Sequence, residues 1–183
     1  MERKVTLIDD TRERLAILVE KRLPWLIAGL LGGMVATYIV ARFEDVLARN
    51  ISLAFFVPII VYLSDAVGTQ TETIYVRNIG TLKGSFISYL LKELFIGICL
   101  GIIFGLLIGG FAYFWLHQSN VALTVGLAML LNITIAPVLS LVIPEILFKE
   151  HTDPALGAGP FTTIIQDIIS LLIYFSVAIL IIW

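Results

Sequence analysis

The sequence predicts an all-α, polytopic membrane protein, with five transmembrane helices and a short amphipathic helix near its N-terminal end. Three observations carry that prediction. Of the 183 residues, 59% are hydrophobic and only 14% charged, and the mean hydropathy is +1.00, far from the balance of a soluble globular domain. Apolar stretches long enough to cross a hydrocarbon core of about 30 Å recur five times, near residues 24–41, 51–75, 93–116, 121–148 and 158–182. Basic residues segregate: an odd number of spans that starts inside leaves Arg3, Lys4, Arg12, Arg14, Lys21, Arg22, Arg77, Lys83, Lys92 and Lys149 on one side, against Arg42 and Arg49 on the other. By the positive-inside rule the N-terminus is cytosolic, the C-terminus is outside, and the chain resides in the cell membrane.

Residues 1–23 form the first region. They contain no uninterrupted apolar core of the length a cleaved signal needs, so no leader is expected. Within them, DDTRERLAILVEKR at 9–22 places Leu15, Leu18 and Val19 on one side of a helix. Asp9 and Asp10 at its start and Lys21 and Arg22 at its end match the helix dipole. This reads as an interfacial anchor, or as a lever beneath a pore. Pro24 then opens the first span, where a missing amide donor is tolerated. Residues 24–183 make up the membrane domain.

The second span runs through VPIIVYLSDAVGTQTETIYVR from Val57 to Arg77. Asp65, Gly68, Thr69 and Glu72 recur at helical spacings of three and four, and Gln70 lies among them, so one side of this helix is polar. Pro58 removes a donor, and Gly68 permits close approach or a local break that turns backbone oxygens toward a cavity. Asp65 is the mid-span carboxylate; Glu72 either joins it or pairs with Arg77 at the interface. An ionised carboxylate at mid-membrane depth costs about 2.5–3.5 kcal/mol on insertion scales, so it normally faces water or a cation.

In the third span Gly97, Gly101, Gly105 and Gly109 fall at four-residue intervals and form a packing surface for another helix; Gly29 and Gly33 do so more weakly in the first. Cys99, the single cysteine, excludes an intramolecular disulfide and reads as a buried small hydrophobe. Asn132, Thr134, Pro137, Ser140 and Pro144 suggest that the fourth span is a broken helix with loosened carbonyls. Trp25, Tyr113, Trp115 and Trp183 fall near span ends, where amphipathic rings are stable.

The fifth span carries Thr163, Gln166, Asp167, Ser170 and Tyr174 as a polar stripe on an aliphatic helix. Asp167 is the sharpest candidate in the chain. Its alternative role is interhelical hydrogen bonding. Carboxylates, hydroxyls and carbonyls with no cysteine or histidine beside them favour a hard cation such as Mg²⁺, which dehydrates reluctantly and is held through one or two carboxylates with its waters retained. His117 and His151 fall in opposite loops and do not pair. Nothing in the composition points to a nucleic acid.

These residues resemble the transmembrane domain of the MgtE magnesium channels. The resemblance rests on FVPIIVYLSDAVGTQTETIYVR, on LKE at 91–93, and on DPALGAGPFTTIIQDIISLLIYFSVA from Asp153 to Ala178. It implies a homodimeric five-helix pore for Mg²⁺, in which Asp167 matches the family's pore aspartate and binds the hydrated ion on the axis between two protomers. The chain departs from the family pattern in two places. The Gly-Gly-Asn before Gly-x-Gln appears here as Ser64, Asp65 and Ala66, and the fourth-helix Asn-x-x-Gly becomes Pro137 through Ser140. No part of the sequence matches the family's cytosolic sensor. The charged helix before Pro24 resembles the connector from sensor to pore, so a separate cytosolic regulatory subunit is an expected partner.

The resulting expectation is a divalent-cation channel or transporter, not an enzyme. Asp167 and Asp65 are its metal residues, and Gly68, Thr69, Gln70, Glu72, Thr163, Gln166 and Ser170 are candidate pore-lining residues. Na⁺- or H⁺-coupled exchange fits the same carboxylates. A non-conducting scaffold fits the glycine-rich helices but leaves the acids without a role. An aspartyl-protease dyad lacks its usual sequence settings.

Overall fold

The computed structural model describes residues 14–79, 85–150 and 154–182, with the side chains of the last segment from Ala158 onward. All regular structure among these residues is helical: α1 (Leu15–Arg42), α2 (Glu44–Arg49), a 3-10 helix (Ile51–Phe56), α3 (Val57–Asn78), α4 (Phe86–Leu116), α5 (Ser119–Lys149) and α6 (Pro154–Ile182). Five helical stretches are long and apolar enough to span a membrane: Leu15–Arg42, Ile51–Asn78, Phe86–Leu116, Ser119–Lys149 and Ala158–Ile182. The expected all-α, five-span architecture is thus present. Arg3, Lys4, Lys83, His151 and Trp183 lie outside the described residues, as does the first part of the amphipathic segment.

Several boundaries differ from expectation, each for a physical reason. The described part of the amphipathic segment, from Leu15, continues into the first span, and α1 passes through Pro24 without interruption. The proline removes the bond to the Glu20 carbonyl, but Glu20 is exposed, where water can satisfy that oxygen. The third span starts at Phe86 rather than 93, because Lys92 and Glu93 are carried within the helix. The turn between the first two spans holds α2 and the 3-10 helix, which the sequence did not reveal.

Helix α5 is the centre of the bundle, packed against α3, α4 and α6; α3 also packs on α6, and α1 lies along α6. The expected break in α5 is absent. The helix is continuous through Pro137 and Pro144. Pro137 frees the Ile133 carbonyl, which points at Gly97 of α4: a Cβ built on Gly97 would lie 3.0 Å from that oxygen. Neighbouring backbone therefore covers the group that a bare apolar surface could not.

The glycine stripe of α4 works as read. Cβ atoms built at Gly101, Gly105 and Gly109 would lie 2.6, 2.7 and 3.1 Å from the carbonyls of Leu130, Gly126 and Ala122, an antiparallel register that advances one turn at a time. In α1, by contrast, Gly29 and Gly33 face no atom within 4 Å; Gly32, one position away, meets Ile164 of α6. The four-residue spacing was real but belonged to the outward face. Cys99 is exposed, not buried. It sits two residues from both Gly97 and Gly101, which on a helix turns it away from the packed side.

At the α2 end, Tyr174 is fully buried and its hydroxyl donates to the Leu53 carbonyl at 2.7 Å. Phe43 stacks on Phe175 with ring centroids 4.6 Å apart. Asn50 accepts from the Ser52 amide at 3.1 Å and donates to Gln118 at 2.7 Å. These contacts tie the start of α3 to α6 and to the α4–α5 turn.

Candidate functional site

Helices α3 and α6 run side by side, and the polar residues of both fall into two sets. The first is an interior cluster. Ser64 Oγ accepts from Gln166 Nε2 and from Ser170 Oγ, each at 3.2 Å. Ser140 Oγ of α5 donates to Gln166 Oε1 at 3.3 Å, and Asn132 Nδ2 donates to the Ser170 carbonyl at 3.4 Å. Every side chain in this set is at most 2% exposed. Gly68 is buried against it, and a Cβ there would collide with the Gln166 amide and, at 2.5 Å, with Ser140 Oγ. Gly68 is thus the space that the amide occupies. Of the two readings of Gly68, close approach and a local break, the first holds: helix α3 continues through it, and Pro58 sits in the first turn, where no donor is needed.

The second set lies on the partly exposed face. Asp65 and Asp167 are half-buried, and their charges act on each other. Thr163 Oγ1 of α6 donates to Asp65 Oδ1 at 3.0 Å. Thr163 precedes Asp167 by one helical turn, so a single stretch of α6 both supplies one carboxylate and orients the other. Glu72, two turns beyond Asp65 on α3, is also half-buried; it lies beside Thr162 and Gly159 of α6 and within electrostatic reach of Asp65. Thr69 shares the Asp65–Glu72 stripe and is exposed. Gln70 is exposed too, but about 100° further round the helix.

The candidate residues therefore divide. Asp65, Asp167, Thr163, Glu72 and Thr69 are brought to one face. Gly68, Gln166 and Ser170 stand behind it, closed in by α5, with no surface open to a path. Tyr174 leaves the stripe altogether to brace the 3-10 helix. Among the described residues no three His, Cys, Asp or Glu side chains converge to enclose a metal ion, so one protomer offers carboxylates that can hold a hydrated cation but not a closed cage.

A further polar group, where α3 ends, escaped the reading of the sequence. Thr71 Oγ1 donates to Glu93 Oε2 of α4 at 3.2 Å. Tyr75 donates to Glu145 of α5 at 2.6 Å, and Glu145 pairs with Lys149 at 2.9 Å. Of these, only the Glu145–Lys149 pair carries a signal in the sequence, a four-residue spacing. The others join residues at least 22 positions apart.

The MgtE family, described as a divalent cation transporter, matches residues 57–177. Three curated relatives carry the name "Magnesium transporter MgtE". The protein of Bacillus subtilis is 32% identical over 161 residues, covering 86% of this chain and 36% of the relative. That of Enterococcus faecalis is 32% identical over 174 residues, covering 93% and 38%. That of Thermus thermophilus is 32% identical over 160 residues, covering 86% and 35%. The chain thus spans little more than a third of the length of the curated relatives it matches. With the family matched across most of its membrane-spanning residues, the chain belongs to the MgtE family of divalent cation transporters.

Proposed function

We propose that this chain forms the ion pathway of a Mg²⁺ channel or transporter in the cell membrane, working as a homodimer with a cytosolic N-terminus. The observation that carries the reading is the placement of Asp65, Asp167 and Glu72 on one partly exposed face of α3 and α6, in a protein whose exposed residues along the spanning helices are otherwise mostly apolar. Lipid cannot solvate that face. Water, a cation or a second copy must cover it. Two copies meeting there would set both Asp167 carboxylates about a common axis with Asp65 adding negative potential, and a doubly charged ion would be attracted while keeping most of its hydration shell. Thr69 and Thr163 would contact its water. Gln166, Ser170 and Gly68 would act from behind, fixing the rotation of α6 and so the aim of Asp167.

The test is Mg²⁺ uptake into liposomes holding the purified protein and a Mg²⁺-sensitive dye. Asp167→Asn and Asp167→Ala should each lower the initial rate at least about tenfold, the equivalent of about 1.4 kcal/mol. Unchanged flux in both, with the protein folded and inserted, overturns the assignment.

A further inference from the structure

We infer that Glu72 and Thr162, with the cleared backbone at Gly159, form a second cation station toward the end of α3, separate from the one at Asp65 and Asp167. The inference rests on the pathway proposed above and adds to it a site of its own. The first observation is geometric. Glu72 follows Asp65 by seven residues, which sets it about 10 Å further along the α3 axis, too far for one ion to touch both carboxylates. It stands against α6, where Gly159 leaves it room: even a Cβ there would lie 3.8 Å from Glu72 Oε1.

The second observation is independent. Thr162 is only 3% exposed, and its Oγ1 has no partner within hydrogen-bond geometry. A buried hydroxyl ordinarily finds a partner, commonly a carbonyl one turn back on its own helix. This hydroxyl lies near enough to the Glu72 carboxylate to act on its charge, yet outside the geometry of a formed bond. A carboxylate and a hydroxyl that face each other without a formed bond leave lone pairs on both oxygens that a hard cation or its inner water can take.

The chemical class is a divalent cation with part of its water shell retained. One carboxylate and one hydroxyl cannot replace that shell, so binding is weak and exchange fast. Two weak stations about 10 Å apart along one face of α3 and α6 suit permeation, since an ion at the first is displaced by the arrival of the next. The Asp65 charge, felt at Glu72, couples the two occupancies.

The test counts bound Mn²⁺, used alone as a paramagnetic stand-in for Mg²⁺, by its free-ion resonance signal in titrations of the purified full chain. Glu72→Gln should lose about one ion per protomer and keep the ion that depends on Asp167; Asp167→Asn should lose the ion shared across the axis, about half an ion per protomer, and keep the one that depends on Glu72. Thr162→Val should weaken the Glu72-dependent ion about fivefold, the worth of one lost hydroxyl ligand, whereas Thr162→Ser should retain it. Glu72→Asp, with thermal unfolding as a folding control, separates lost charge from lost structure. If Glu72→Gln binds as many ions as wild type while Asp167→Asn binds fewer, the second station is refuted and the pathway stands. If Asp167→Asn changes neither binding nor flux, the pathway itself is refuted.

Discussion

Replacing Gly101 by alanine and, separately, Gly110 by alanine tests the packing of the bundle with an internal control. Both glycines lie in α4, and both substitutions gain about 0.8–1.0 kcal/mol of helix propensity. They differ only in what the new methyl meets. At Gly110 there is no atom within 4 Å, whereas at Gly101 the methyl would sit 2.6 Å from the Leu130 carbonyl oxygen. An ordinary carbon–oxygen contact is roughly 0.8 Å longer, and the obstacle is backbone, which cannot rotate aside. Helix α4 must retreat from α5, and a gap of that size forfeits about a quarter to a half of each contact's attraction. Overpacking of this kind costs about 1–3 kcal/mol. Gly101→Ala should therefore come out about 1–3 kcal/mol less stable than Gly110→Ala, with Gly110→Ala at or above wild type. On the scaling of domains this size, each kcal/mol moves the midpoint by about 2–4 °C. Thermal unfolding of the purified variants in one detergent reads the difference. Equal midpoints, or the reverse order, would mean that α4 does not approach α5 along the glycine stripe.

Thr163→Val removes the hydrogen bond to Asp65 while preserving shape; a bond to a charged group is worth about 1.5–3 kcal/mol, so Mg²⁺ flux should fall severalfold and Thr163→Ser should restore it. Flux unchanged in Thr163→Val would show that the orientation of Asp65 does not matter to transport. Tyr174→Phe deletes the bond to the Leu53 carbonyl, at a cost of about 0.5–1.5 kcal/mol. It should lower the unfolding midpoint without altering the flux of protein that remains folded, and a selective loss of flux would assign Tyr174 a direct role instead.

The relation between sequence and site is clearest at Gln166 and Asp167. They are adjacent, both polar, in an aliphatic helix, and the polar stripe read from the sequence included both, Asp167 as a metal residue and Gln166 as a lining residue. Adjacent residues on a helix diverge by about 100°, and only the positions of α3 and α5 show that Gln166 turns into the bundle while Asp167 remains at its face. Gly29 and Gly33 teach the same lesson. Their spacing is that of a packing motif, yet Gly32 makes the contact, because the rotation of α1 on α6 is set by partners that spacing does not name. Pro137 misled for another reason: the carbonyl that its missing amide frees is covered, because Gly97 lets α4 approach it.

Composition, the lengths of the apolar stretches and the rarity of charge within them were enough to establish a five-span helical membrane protein and to single out Asp65, Glu72 and Asp167. Those properties follow from how each segment, taken alone, partitions between water and hydrocarbon. Which acids share a face, which hydroxyls orient them and which polar groups are sealed inside depend on helix rotation and register. Contacts between residues as distant as Asp65 and Thr163 set both, and such contacts leave no periodic trace along the chain.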